Sequence, residues 1–313
     1  MRNPMRLVLL VSVGGGFAAC RHPESRRPVV GVTLPGDSSV YSRDARRGLQ
    51  QAAESLGFDL SIVTVAGDRD TAGQSSQVAA FVARGVDAIV IAAPGPDAVV
   101  GAIGAANHAG IPVFTAGFAV DGGSVAARVA GDDRQGGALL GALVALRLHG
   151  GGNVAIIDQP TLAHVRDRVA GFRQALGAFP NIRVVAAPAV DGCPRDEARR
   201  RMNDLLATEQ HIDAVFGTDD ACALGAMSAI EGAGKSATIV VGFGATAEAL
   251  AAIARGSPLV ADAAPDAGAI GRRLVQAVAA RLHGRTKGGG PALVLVPARL
   301  VERDSLAPPA RAH

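Results

Sequence analysis

Several groups in this 313-residue chain have the types and spacing to do chemistry. Gly242, Gly244 and Ala247 fit a GxGxxA turn between an apolar run and a helical pattern, and Asp262 follows downstream. Such a turn can cradle a dinucleotide, with glycines admitting the pyrophosphate and the acid taking a ribose hydroxyl. The competing reading is a tight strand-to-helix turn that needs glycine. The unit falls late in the chain, and Asp262 does not end the next strand of a mononucleotide half, so the plain turn is preferred. Gly234-Lys235 lacks the upstream glycine of a phosphate loop. The cysteines have no zinc spacing, the seven histidines are isolated, and no serine lies on a nucleophile elbow. His164 reads as a solvent-facing helical residue. These residues give no positive sign of a catalytic residue, a metal or a cofactor.

These groups need a frame, and the stretch 211–230 supplies its plan. It reads as a short buried strand, a polar turn and a helix with apolar or small residues on one face. Asp219 or Asp220 is placed to cap that helix by accepting from its first amides. The pattern recurs at 85–99. Asp87-Ala88 and Asp213-Ala214 open the two strands, and Asp97-Ala98 and Asp220-Ala221 follow the two turns. Two similar lobes are expected.

Composition narrows the function. The chain is 49% hydrophobic but only 3% aromatic, with no Trp and one Tyr, so a large stacking surface is excluded. Net charge is +3 and the arginines are scattered over helices, which reads as solvated helix faces and not as a nucleic-acid stripe. Arg2 and Arg6, the apolar run 7–13 and Phe17-Ala18-Ala19-Cys20 resemble a bacterial lipoprotein signal, making Cys20 the lipid attachment site. An ordinary secretory signal or a short membrane anchor is the alternative. Cys193 and Cys222 would meet an oxidising compartment; either a pair or a buried free thiol at Cys222 fits.

Strands alternate with helices of a length that requires parallel sheets and right-handed crossovers. Two sheets of about five or six strands fit better than one large sheet. Gly57, Gly85 and Gly110 read as helix stops. Gly150-Gly151-Gly152 reads as a flexible break, and 293–301 as one final strand.

The ordered set Arg47-Gly48, 84–99, 109–117, 130–137, 166–176, 214–227, 239–245 and 259–271 resembles the periplasmic sugar-binding proteins of the ribose-binding type. The resemblance implies an α/β fold of two Rossmann-like lobes joined by three hinge strands, near 130–133, 260–263 and 289–293. It implies a signal peptide at 1–20, a tether at 21–28, a first lobe from 29–131 plus 263–290, a second from 132–262 plus 291–303, and a tail at 304–313. Carried over position by position, the ligand site is Tyr41, Ser42, Ala92, Gly117, Phe118, Gly131, Arg168, Cys193, Asp219, Gly244 and Asp262. The chain departs from the family at Gly117-Phe118, where an Asp-Arg pair is usual, at Gly244, usually Asp, and at Asp262, often Gln. The implied function is an extracytoplasmic monomer, lipid-anchored in the cell envelope, that closes over a sugar or sugar-like solute and delivers it to an ABC permease. The alternatives are a module that presents its ligand to a membrane receptor and an extracytoplasmic NAD-dependent oxidoreductase. No nucleic acid is implied as a partner.

Overall fold

The computed structural model describes residues 26–34, 40–65, 70–92, 99–117, 119, 122–208, 211–284 and 292–306. In the first part of the chain β1 (Val29–Leu34), α1 (Val40–Leu56), β2 (Asp59–Thr64), α2 (Thr71–Arg84) and β3 (Ala88–Ala92) alternate, followed by α3 (Val100–His108), β4 (Val113–Ala116) and β5 (Ala127–Gly131). A second cycle follows: α4 (Asp133–Arg147), β6 (Gly151–Ile157), α5 (Ala163–Leu176), β7 (Asn181–Ala186), α6 (Arg195–Ala207), β8 (Ala214–Gly217), α7 (Asp220–Gly232) and β9 (Ile239–Phe243). The chain ends with α8 (Ala247–Ala254), β10 (Leu259–Pro265), α9 (Ala267–Leu282), β11 (Ala292–Val296), β12 (Ala298–Glu302) and the single turn α10 (Arg303–Leu306). Among the described residues no helix is long and apolar enough to cross a membrane.

The strands form two six-stranded sheets, β2-β1-β3-β4-β5-β11 and β7-β6-β8-β9-β10-β12. The two orders are equivalent position for position. All pairings are parallel except that of β12 with β10. Both faces of each sheet are covered, as parallel sheets require. In β3, Ala88, Val90 and Ala92 enter the core shared with α1 and α9, and Ile89 and Ile91 enter the core under α2 and α3. In β6, Ala155 and Ile157 face one core while Val154 and Ile156 face the other.

The repeated Asp-Ala pairs do the same job in each lobe. Asp87 accepts from the Val29 N–H at 2.7 Å and Asp213 from the Asn153 N–H at 2.8 Å, so each acid bolts its strand to the neighbouring one. Gly85 closes α2 in the left-handed conformation at φ 62.

The chain passes between sheets three times: after β5, after β10 and between β11 and β12. The first crossing lies between β5, which ends at Gly131, and α4, which starts at Asp133. The other two differ from the sequence expectation. Ala263–Pro265 continue β10 in the second sheet, so the crossing is delayed to Asp266, which caps α9 by accepting from the Ala269 N–H at 2.8 Å. The stretch 293–301 is two strands, because Pro297 lies between a segment paired with β5 and one paired with β10. The segment 292–296 thus joins the first sheet and not the second lobe. The crossings are tied together: the Asp132 N–H donates to the Val296 carbonyl at 2.8 Å, and the Ala298 N–H donates to Gln135 Oε1 at 2.9 Å. Gly151 and Gly152 are strand residues, because β6 extends through them to pair with β7.

Two glycines set the second lobe's geometry. A Cβ on Gly137 would overlap the Arg168 carbonyl, and one on Gly171 would overlap the Arg134 carbonyl. Their absence lets α4 and α5 pack backbone to backbone, which brings Arg168 to the N-terminus of α4.

Candidate ligand site at the lobe junction

Open α/β sheets bind ligands beyond the carboxyl ends of their strands. Here that edge lies at the C-terminal ends of β1, β3 and β4 in the first lobe and of β6, β8 and β9 in the second. The two lobes come near each other here: the charge of Asp133 at the start of α4 is felt at Tyr41 near the start of α1. Burial, and then Asp133, push the Tyr41 hydroxyl up to about 12. Tyr41 packs half-buried on the first lobe's core, and Ser42 beside it is buried.

Arg168 organises the second lobe's wall. Its Nε donates to Asp133 Oδ1 at 2.8 Å and its Nη1 to the Thr218 carbonyl at 3.0 Å. The guanidinium also lies over the Phe243 ring, 3.8 Å from its centroid. Burial raises the Asp133 carboxyl, and Arg168 partly offsets this. Asp219 caps α7, its Oδ1 accepting from the Cys222 N–H at 2.8 Å, while Gln159 Nε2 donates to its Oδ2 at 2.7 Å. Burial raises Asp219 and Asp158 as well. His164 is half-buried, not solvent-facing; burial and then Arg168 push its imidazole down to about 4.

The turn after β9 is held by acids. Gly244 has φ 144 and Ala245 has φ 53. The Ala245 N–H donates to Asp262 Oδ1 at 3.2 Å and the Thr246 N–H to Asp220 Oδ2 at 2.6 Å. The amides that a pyrophosphate would need are therefore already engaged by carboxylates, which would also repel it. This removes the dinucleotide reading of the GxGxxA turn.

The remaining positions fall as follows. Ala92 ends β3, and its carbonyl accepts from Gln74 Nε2 at 2.7 Å. Gly117 follows β4 at φ 83, and Gly131 ends β5, where a Cβ would sit 3.3 Å from Pro265 Cβ. Cys193 is 1% exposed and bonded to Cys222 across a Cα separation of 5.4 Å. Its side chain is thus committed to the core and stitches the loop before α6 to the start of α7. Phe118 and Cys20 lie outside the described residues. Sequence reasoning passed over Asp133, Gln159 and Phe243, and gave Asp220 only a capping role. Asp133 carried a faint signal as an acid opening a helix; the other two carried none.

A family model described as a periplasmic binding protein domain matches residues 30–286. The chain is 30% identical over 257 residues to the ribose import binding protein of Bacillus subtilis (strain 168), covering 82% of each chain. It is 29% identical over 253 residues to the xylitol-binding protein of Mycolicibacterium smegmatis, covering 78% of this chain and 71% of that one. Among solved structures, an ABC transporter solute binding protein from Bacillus halodurans C-125 with bound myo-inositol superposes with a TM-score of 0.67 at 28% identity. That match covers 90% of this chain and 96% of the other. With two sheets of equivalent order, three crossings and these matches, the chain belongs to the periplasmic binding protein family, a family of non-catalytic solute-binding proteins.

Proposed function

We propose that the protein captures a small polyhydroxylated solute, a sugar or polyol, between its lobes and delivers it to an ABC-type importer. The observation that carries this is the agreement of the relatives named above: ribose, xylitol and myo-inositol share a dense array of hydroxyls and no charge. The second lobe's wall suits such an array. Asp133 and Asp219 are acceptors held by Arg168 and Gln159, and the further N–H groups of Arg168 are donors in a fixed fork. Tyr41, Ser42, Ala92, Gly117 and Gly131 form the opposing wall; Phe118, outside the described residues, belongs to it by the sequence assignment alone. Arg168, Asp219 and Gly244 form the second, while Cys193 and Asp262, both buried, act from behind it through the loop and the turn they anchor. Closure about the three crossings at 131–133, Asp266 and Pro297 makes contacts with both walls at once, so ligand shifts the population to the closed state. The working form is a monomer, held to the envelope by lipid at Cys20.

Thermal unfolding with ribose, xylitol, myo-inositol and arabinose tests this. A true ligand at about a hundred times its dissociation constant adds about 2.7 kcal/mol of stability. No stabilisation by any polyol or sugar in a broad panel overturns the reading. Replacing Cys20 with Ala moves the protein from the membrane fraction to the soluble one; unchanged fractionation overturns the anchor.

A further inference from the structure

Asp220 opens α7 and Asp262 lies in β10, and both are buried, at 5% and 0% exposure. Each uses one carboxyl oxygen to hold the turn 244–246, through the Thr246 and Ala245 amides. The other two oxygens, Asp220 Oδ1 and Asp262 Oδ2, are buried without a hydrogen-bond partner. They converge on Gly242 in β9. A Cβ there would lie 2.9 Å from Asp262 Oδ2 and 3.4 Å from Asp220 Oδ1, so only glycine leaves room for both. The two carboxyls thus crowd the same point of β9, and the charge of Asp220 is felt at Asp262. As carboxylates both are acceptors only, and neither can satisfy the other. One added proton turns the pair into a donor and an acceptor.

Among the described residues the surrounding elements offer no other remedy. Opposite Asp262, β12 places Val301, and its Arg299 faces Asp266 instead. The turn before α7 adds a third acid, Asp219. From α5, Arg168 is bound to Asp133 of α4 and to the Thr218 carbonyl. From α8, Glu248 is paired with Arg195 of α6. Burial and the neighbouring Asp220 raise Asp262 well above the ordinary carboxylate range, against a weaker downward pull from the Ala245 and Gly244 amides. Two unpaired anions in a dry site would repel by several kcal/mol, and such groups take up a proton instead.

We propose that Asp262 holds a proton turned toward the carboxyl of Asp220, and that this pair is a pH-sensitive latch fixing the turn 244–246 to β10. The latch joins the ligand edge to the strand that leads into the second crossing. It holds Ala245 at φ 53, a conformation that a non-glycine residue keeps only when its surroundings enforce it. Loss of the proton leaves two anions back to back and frees the turn.

The test needs no ligand, so its failure is separate from failure of the solute reading. The full chain is melted across about pH 5 to about pH 9, beside Asp262→Asn and Asp220→Asn, and amide exchange is followed at Ala245 and Thr246. An asparagine at 262 keeps the acceptor for Ala245 and presents an N–H₂ to Asp220 in place of that proton. A carboxyl held protonated in the fold contributes stability that is complete at acid pH and drains away as pH rises toward its raised pKa. The wild type therefore falls relative to Asp262→Asn with rising pH, and protection at Ala245 and Thr246 falls about tenfold or more while the variant's stays level. Melting curves that run parallel in wild type and variants overturn the proposal. Should neither variant fold, carboxyl carbon shifts of the wild type decide: one proton on the pair at neutral pH supports it, and two ionised carboxylates refute it.

Discussion

Replacing Arg168 with Ala is the sharpest test of how the second lobe's wall is built. The side chain is 14% exposed and its partner Asp133 22%, so the ion pair is mostly but not wholly withdrawn from water. Stranding one member of a fully buried pair costs 3–5 kcal/mol, which partial exposure reduces to about 2–3 here. The Thr218 carbonyl loses a donor, worth about 1 kcal/mol, and the contact with the Phe243 ring adds about 0.5. These effects overlap, and a total near 3–4 kcal/mol is expected. The loss depends on pH. Arg168 is the group that holds Asp133 down against its burial, so in the variant the Asp133 carboxyl rises further. A carboxyl raised in the fold keeps its stability at acid pH and loses it as pH climbs above the ordinary carboxylate range, so the penalty is smallest near about pH 4 and fullest above neutrality. Urea unfolding followed by circular dichroism at two pH values measures this. Adding Asp133→Asn removes the stranded charge and should recover part of the loss. A penalty under about 1 kcal/mol, equal at both pH values and indifferent to Asp133→Asn, would refute this account of the wall.

The other expectations are narrower. Converting Cys193 and Cys222 to Ser opens a loop of sequence separation 29, which costs about 3–4 kcal/mol by loop entropy; denaturant midpoints with and without reductant should differ for the wild type and coincide for the variant. Gly171→Ala drives a methyl into the Arg134 carbonyl and should cost about 2–3 kcal/mol, whereas Gly101→Ala on α3 meets nothing within 4 Å and should gain about 0.5–1, both read from urea midpoints. His164 should stay neutral down to about pH 4 in a histidine NMR titration. Because its folded value lies below the unfolded one, its contribution is present above about pH 6.5 and is lost as pH falls through that window.

What the sequence made legible was local. The Asp-Ala pairs, the glycine helix stops and the alternation of strand and helix each act over a few residues, and they gave two sheets of equivalent plan. The cap at Asp219 was legible for the same reason: its partner, the Cys222 N–H, is three residues away. What escaped depends on register between distant segments. Asp262 meets Asp220 only because β10 sets Asp262 beside Gly242. Asp133 meets Arg168 only because two glycines let α4 and α5 touch. The apolar pattern runs through 293–301 without a gap, so nothing local shows that its two halves serve different sheets. Pro297 was the one available hint.

The most direct measurement is small-angle X-ray scattering on the ligand-stripped protein, alone and saturated with whichever sugar or polyol stabilises it. Two lobes that close about three crossings predict a smaller radius of gyration on binding, with a matching change in the fluorescence of Tyr41, the chain's one Tyr in the absence of Trp. A ligand that binds and stabilises the chain yet leaves both scattering and tyrosine emission unchanged would contradict closure over a solute held between the lobes.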